Sequence, residues 1–376
     1  MNADVPPPMP KRDVRSYWPA LVVFSCVLAA GLWRGTASSP PPSRDRSLQV
    51  HGWADEQSCS DCHEQALEFS ETGHARTLHR AEEPELVGLL KQLADEPAAR
   101  ESGVRIDESE HGLFAVHHVD GVDRRVQLDW CFGSGHHART WGGVLDDSWG
   151  TSDLLEFRWT WYSALERFGV TPGQPADIDP SYFGGLGLLF DHPKARRCFG
   201  CHATRYQLDN GHLIQDSVVP GVTCQRCHGP RATHVASEGE HSDFSWRGIS
   251  QLESVHRCAE CHRRAEEQKP EDIREDNPEI SRFQPVGLLQ SPCFQRSPEL
   301  TCITCHDPHR PMSAQDSRGD WQCIQCHDGA HADRPLCGAG ESSDCLRCHM
   351  PKVESSIPIR FTDHWIRIRD DLGKTP

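Results

Sequence analysis

Seven times along this sequence two cysteines stand three apart with a histidine directly behind the second. The motifs are Cys59-Ser60-Asp61-Cys62-His63, Cys198-Phe199-Gly200-Cys201-His202 and Cys224-Gln225-Arg226-Cys227-His228. Then come Cys258-Ala259-Glu260-Cys261-His262, Cys302-Ile303-Thr304-Cys305-His306, Cys323-Ile324-Gln325-Cys326-His327 and Cys345-Leu346-Arg347-Cys348-His349. Cysteines at this spacing reach the two vinyl groups of one porphyrin and form thioethers, and the histidine that follows falls beneath the iron. The pattern predicts seven covalently held haems c, with His63, His202, His228, His262, His306, His327 and His349 as proximal ligands. Zinc also takes paired cysteines, but neither zinc nor a disulfide framework requires a histidine after every second one.

The opposite faces of the irons need ligands too. The chain has 23 His, and beyond its N-terminal segment the methionines are Met312 and Met350. Imidazole on both faces is therefore expected, a ligand set that lowers reduction potential relative to Met/His. His309 follows closely on His306, and His234 on His228. Neither reaches the far face of its own haem easily, so each is expected at a neighbouring one. His74 and His364 are the next distal candidates, followed by His136 or His137 and by His331. His51, His111, His117, His118, His212 and His241 read as surface or loop residues. Cys131, Cys293 and Cys337 lie outside the motifs; two of the three can pair in an oxidising compartment, and the sequence does not choose which.

Composition bounds the rest. Only 36% of residues are hydrophobic, low for this length. Apolar macrocycles are expected to supply the missing core, because 11 Trp and 13 Phe do not suit disorder. The formal charge of −16 argues against nucleic acid and suits docking to a basic redox partner. Lys11, Arg12 and Arg15 precede an apolar run, Trp18–Trp33, and a Pro-rich linker follows at Ser38–Ser43. This reads either as a signal peptide cleaved near Ala37 or as a retained membrane anchor. Both place the remainder on the extracytoplasmic, periplasmic side.

Four segments follow. Residues 1–50 are the export segment and linker, and 51–102 the first haem segment. Residues 103–190 are a β-containing insert, and 191–376 a six-haem segment. Pro84 opens a helix whose Leu86, Leu89, Leu90 and Leu93 share one face. Val104, Ile106, Phe114, Val116, Val126 and Leu128 alternate in short stretches with a turn at Asp120-Gly121, the mark of a small β element.

Several segments carry a family resemblance. They are Pro220 to Pro230 with His234, Thr301 to His309, Cys345 to Pro351, Phe361 to Trp365, and Gly133 to Thr140. The chain resembles the multihaem cytochrome c superfamily that includes the tetrahaem partner of hydroxylamine oxidoreductase and the octahaem hydroxylamine-oxidoreductase-like proteins. The resemblance implies a mainly α, loop-rich fold with a small β insert, in which haems form much of the core. It also implies electron transfer between partner proteins. Two departures stand out. The Cys-x-x-Cys-Lys motif of related nitrite reductases does not occur. None of Tyr17, Tyr162, Tyr182 and Tyr206 is identifiable as the cross-linked tyrosine of hydroxylamine oxidoreductases. The alternative is a multihaem oxidoreductase with one five-coordinate haem acting on a small nitrogen or sulfur compound. His136, His137, Arg139 or His192 would assist it.

Overall fold

The computed structural model describes residues 52–145, 152–175, 177–178, 183–242, 244–314, 319–327 and 344–369. The export segment, His51, His331 and Cys337 lie outside the described residues.

A mainly helical fold was expected, and the described residues overturn it: strands dominate up to Pro220. Strand β1 (Leu78–Arg80) leads into an antiparallel meander of β2 (Val104–Ser109), β3 (Gly112–Val119) and β4 (Val122–Gln127). The turn between β3 and β4 is Asp120-Gly121, with φ of 53° and 76°, the left-handed pair that a tight hairpin needs. Next come β5 (Trp130–Phe132), β6 (Ala138–Val144), β7 (Ser152–Tyr162), β8 (Arg167–Val170) and β9 (Gly187–Asp191). With β1 they form a six-stranded antiparallel sheet in the order β1-β5-β6-β7-β8. β8 and β9 share one edge of β7, against Trp159–Tyr162 and Ser152–Phe157 respectively. Two hairpins follow, β10 (Ala203–Asp209) with β11 (His212–Pro220), and β12 (Lys352–Glu354) with β13 (Arg360–Thr362).

The error has a physical source. β7 is buried on both faces: Leu154, Leu155, Phe157, Trp159, and even Arg158 and Thr160, are inaccessible. The residues Leu155-Glu156-Phe157-Arg158-Trp159-Thr160-Trp161 do alternate apolar and polar, a strand signal that the expectation of a helical haem fold overrode. The β10–β11 turn did carry a signal, Asn210-Gly211, and both residues take positive φ. The helices of the second half are short. The helix at Cys302–Cys305 has 4 residues and the longest, Gln251–His262, has 12.

The apolar core is unevenly distributed. One cluster packs the Pro84 helix through Leu86, Val87 and Leu90 against β2–β4 and the sheet, around Trp141, Phe157 and Trp159. Cys131 is completely buried there, and neither it nor Cys293 forms a disulfide. Beyond Val222, the buried hydrophobic side chains among the described residues are Val255, Ala259, Ile280, Val286, Leu288 and Phe294. That is too little to hold the second half together by side chains alone.

Candidate functional site

Local structure presents each motif on about one turn of helix, so both cysteines face the same way. The second motif closes the helix His192–His202, which Asp191 caps by accepting from the Lys194 amide at 3.2 Å. Its Phe199 is buried edge-on against Trp130 and Phe132, with ring centres 5.9 and 5.4 Å away. The six-stranded sheet thus fixes the second motif. The fourth motif ends the helix Gln251–His262, capped by Ser250. The third, fifth and seventh occupy the turns Cys224–His228, Cys302–Cys305 and Cys345–His349.

All seven motif histidines, and every motif cysteine except Cys198, line one continuous cavity of about 4260 Å³. Ordinary small-molecule pockets run to about 300–1000 Å³. The void occupies the region where the side-chain core is thin.

Within it, four motif histidines each face a second imidazole. The ring centres of His63 and His234 are 6.2 Å apart with planes 14° from parallel. His228 faces His309 at 6.0 Å and 21°, and His306 faces His364 at 6.1 Å and 32°. His262 faces His74 at 6.1 Å, with planes at 88°. An imidazole nitrogen binds a metal at about 2 Å and its ring centre lies roughly 1 Å behind, so two rings on one iron stand about 6 Å apart. The spacing of all four pairs fits a haem iron held between them.

Hydrogen bonds orient several imidazoles of the cavity, paired and unpaired. His202 Nδ1–H donates to the Thr77 carbonyl at 2.9 Å, and His349 Nδ1–H to the Arg367 carbonyl at 2.8 Å. Among the paired rings, His234 donates to the His241 carbonyl at 3.0 Å and His364 to the Thr362 carbonyl at 2.9 Å. A carbonyl only accepts, so Nδ1 carries the proton and Nε2 is left free for a metal. Burial favours the neutral ring. It lowers the pKa of His74 to about 4, helped by His262 and His306, and that of His228 to about 4, helped by Arg231 and His309. It lowers His364 to about 4 as well. Neutral imidazole is the ligating form.

The motifs interlock through residues that the spacing argument left unnamed. Gln225 is fully buried: its amide donates to the Ala54 carbonyl at 2.9 Å and to Glu56 at 2.7 Å. This ties the third motif to the chain entering the first. Arg226 donates to Glu260 at 3.1 Å and to the Gly200 carbonyl at 3.0 Å, joining the second, third and fourth motifs. Arg310, after His309, reaches Glu68 at 3.0 Å. No sequence signal identifies such residues, because their role depends on distant partners.

Other expected ligands fall elsewhere. His137 packs on His136 and Phe361 with ring centres 4.5 and 5.7 Å away, rather than against a motif histidine. His202 meets Phe132 edge-on at 5.5 Å. Among the described residues, no imidazole faces His202, His327 or His349. His117, read as a surface residue, is buried at 4% exposure. Zinc fares poorly: among the described residues, the one cluster of three or more metal-binding side chains is Asp153, His192 and His212, which includes no motif cysteine.

Residues 186–229 match the family model for cytochrome c554 and c-prime. The matched stretch contains the second and third motifs. The chain is similar in trace to the outer cell wall cytochrome OcwA, at 14% identity and a TM-score of 0.49, over 84% of this chain and 80% of that one. It is also similar to the undecahaem cytochrome from the S-layer of Carboxydothermus ferrireducens, at 15% identity and a TM-score of 0.44, over 88% of this chain and 53% of that one. The chain thus spans about half the length of the second. No curated protein matches it.

Proposed function

We propose that this chain is an extracytoplasmic electron-transfer protein carrying seven covalently attached c-type haems, most of them between two histidines. The observation that carries the reading is the set of four imidazole pairs near 6 Å, each uniting a motif histidine with one from a different part of the sequence. Haems so held supply one-electron couples close enough to exchange electrons along the cavity.

The chain's own residues set the conditions. Each pair bridges segments that belong to different motifs, so His309 joins the third motif to the fifth and His74 the first to the fourth. This restrains the spacing and orientation of neighbouring centres. Backbone carbonyls hold Nδ1 of the paired His234 and His364, and of the motif residues His202 and His349, leaving each Nε2 free. Proton-transfer groups are not needed for this role. The basic residues before the apolar N-terminal run support an extracytoplasmic location. The acidic balance supports a basic redox partner and no nucleic acid.

A second reading is an oxidoreductase acting on a small nitrogen or sulfur compound at one five-coordinate haem. His202 favours it: its ring packs on Phe132, and no second imidazole faces it among the described residues. Electron paramagnetic resonance of the oxidised protein separates the readings. Low-spin signals alone support the carrier, one high-spin haem that shifts on adding nitrite or hydroxylamine supports the enzyme, and mainly high-spin iron contradicts the paired-histidine assignment.

A further inference from the structure

Away from the cavity, three chemistry-bearing side chains converge where the electron-carrier reading has no use for them. Asp153 stands near the start of β7. The antiparallel β7–β9 register pairs Ser152 with Asp191, and His192, the first residue of the helix that follows β9, turns back so that its ring meets the Asp153 carboxylate. His192 begins the helix that ends in the second motif. His212 opens β11, directly after the Asn210-Gly211 turn, and swings in from the third side.

The geometry is that of a ligand set. His192 Nδ1 contacts one Asp153 carboxylate oxygen, and His212 Nδ1 lies 3.0 Å from the other. One donor atom from each of the three residues falls within 4.8 Å of the other two. The imidazole centres are 4.7 Å apart with planes 87° from parallel. Neighbouring donors on a tetrahedral zinc ion stand about 3.3 Å apart, given bonds of about 2 Å. Asp153 is buried, at 5% side-chain exposure, while His192 and His212 are 27% and 31% exposed. The carboxylate is therefore a buried anion, and the open side of the cluster faces water.

We propose that Asp153, His192 and His212 bind a divalent transition-metal ion of the zinc class, with water completing the coordination. Two imidazoles and one carboxylate suit zinc or ferrous iron, whereas calcium and magnesium demand more oxygen ligands. The helix N-terminus at His192, and Arg196, which donates to the Gly211 carbonyl at 3.4 Å, place positive charge nearby. Both weaken binding and make the Asp153 carboxylate indispensable. The ion would join β7, the motif-bearing helix and the β10–β11 hairpin, the three elements that seat the second motif. The proposal stands whether or not the haem reading does.

The test is a zinc titration of the haem-loaded full chain after chelator treatment and dialysis, followed by calorimetry and elemental analysis. The expected result is one saturable Zn²⁺ per chain, bound at least about tenfold more weakly by Asp153→Asn and by His212→Gln. Asp153→Asn keeps the side-chain shape. His212→Gln alters a partly exposed position, so one variant serves if the other folds poorly, with far-ultraviolet circular dichroism as the folding check. Bound zinc should also raise the thermal midpoint of the wild-type chain alone. No saturable zinc, or the same zinc affinity in wild type and a folded variant, overturns the proposal.

Discussion

His74 and His262 stand ring to ring with centres 6.1 Å apart and planes at 88°, although one lies shortly after the first motif and the other ends the fourth. The other three pairs lie between 14° and 32°. Perpendicular axial imidazoles leave the two iron π orbitals nearly equal in energy, while parallel ones split them. The oxidised protein should therefore show one strongly anisotropic low-spin resonance beside several rhombic ones. His74→Ala should abolish that resonance and add one high-spin haem. His74→Met should raise the potential of the same haem. Unchanged spectra in both variants would refute the pairing.

Gly221 controls the same site from the backbone. Its φ is +75°, and a Cβ there would sit 2.1 Å from the Ala75 carbonyl oxygen. The adjacent Val222 amide donates to the His74 carbonyl at 2.9 Å. Gly221→Ala must displace the His74 segment, at a cost of about 1–3 kcal/mol or more. Thermal melts should show a lowered midpoint, and the anisotropic resonance should weaken. A fully stable variant with an intact spectrum would contradict this.

Arg226 and Glu260 form an ion pair with side chains 10% and 13% exposed. Removing one partner strands a buried charge, and Arg226→Met should destabilise by about 3–5 kcal/mol. The double variant Arg226→Met with Glu260→Met should recover most of the loss, because two apolar side chains leave no charge unpaired, and only the Gly200 carbonyl loses its donor. Differential scanning calorimetry of the single and double variants measures this.

Asp129 gives a pH dependence. It is 8% exposed, and burial raises its pKa from 3.8 to about 6, against the pull of the Val144 amide that donates to it at 2.7 Å. The folded chain thus holds this proton to higher pH than the unfolded chain does. Its contribution to stability is complete below 3.8 and is lost as pH rises through about 6. The loss amounts to roughly 3 kcal/mol. Asp129→Asn should flatten this part of the stability–pH profile and gain most above pH 6, as followed by thermal melts. An identical profile in the variant would contradict the assignment.

The sequence made the motifs legible because thioether attachment fixes their spacing locally. It also pointed to His234, His309, His74 and His364, since methionine is scarce and histidines near a motif cannot serve their own haem. Which motif each one faces was not legible, because that depends on the packing of distant segments. β7 alternates from Leu155 to Trp161, but the sheet that seats the second motif was not legible, because it pairs β1 with β5 and β9 with β7 across distant segments. His212 read as a loop residue because Asp153 approaches it from a strand distant in sequence.

The most direct test of the central claim is the haem count of the purified chain, by the pyridine haemochrome assay together with the intact mass under denaturing conditions. The account predicts seven haems per polypeptide, all surviving denaturation because thioethers hold them. Fewer than about five, or haem that dissociates on denaturation, would contradict it.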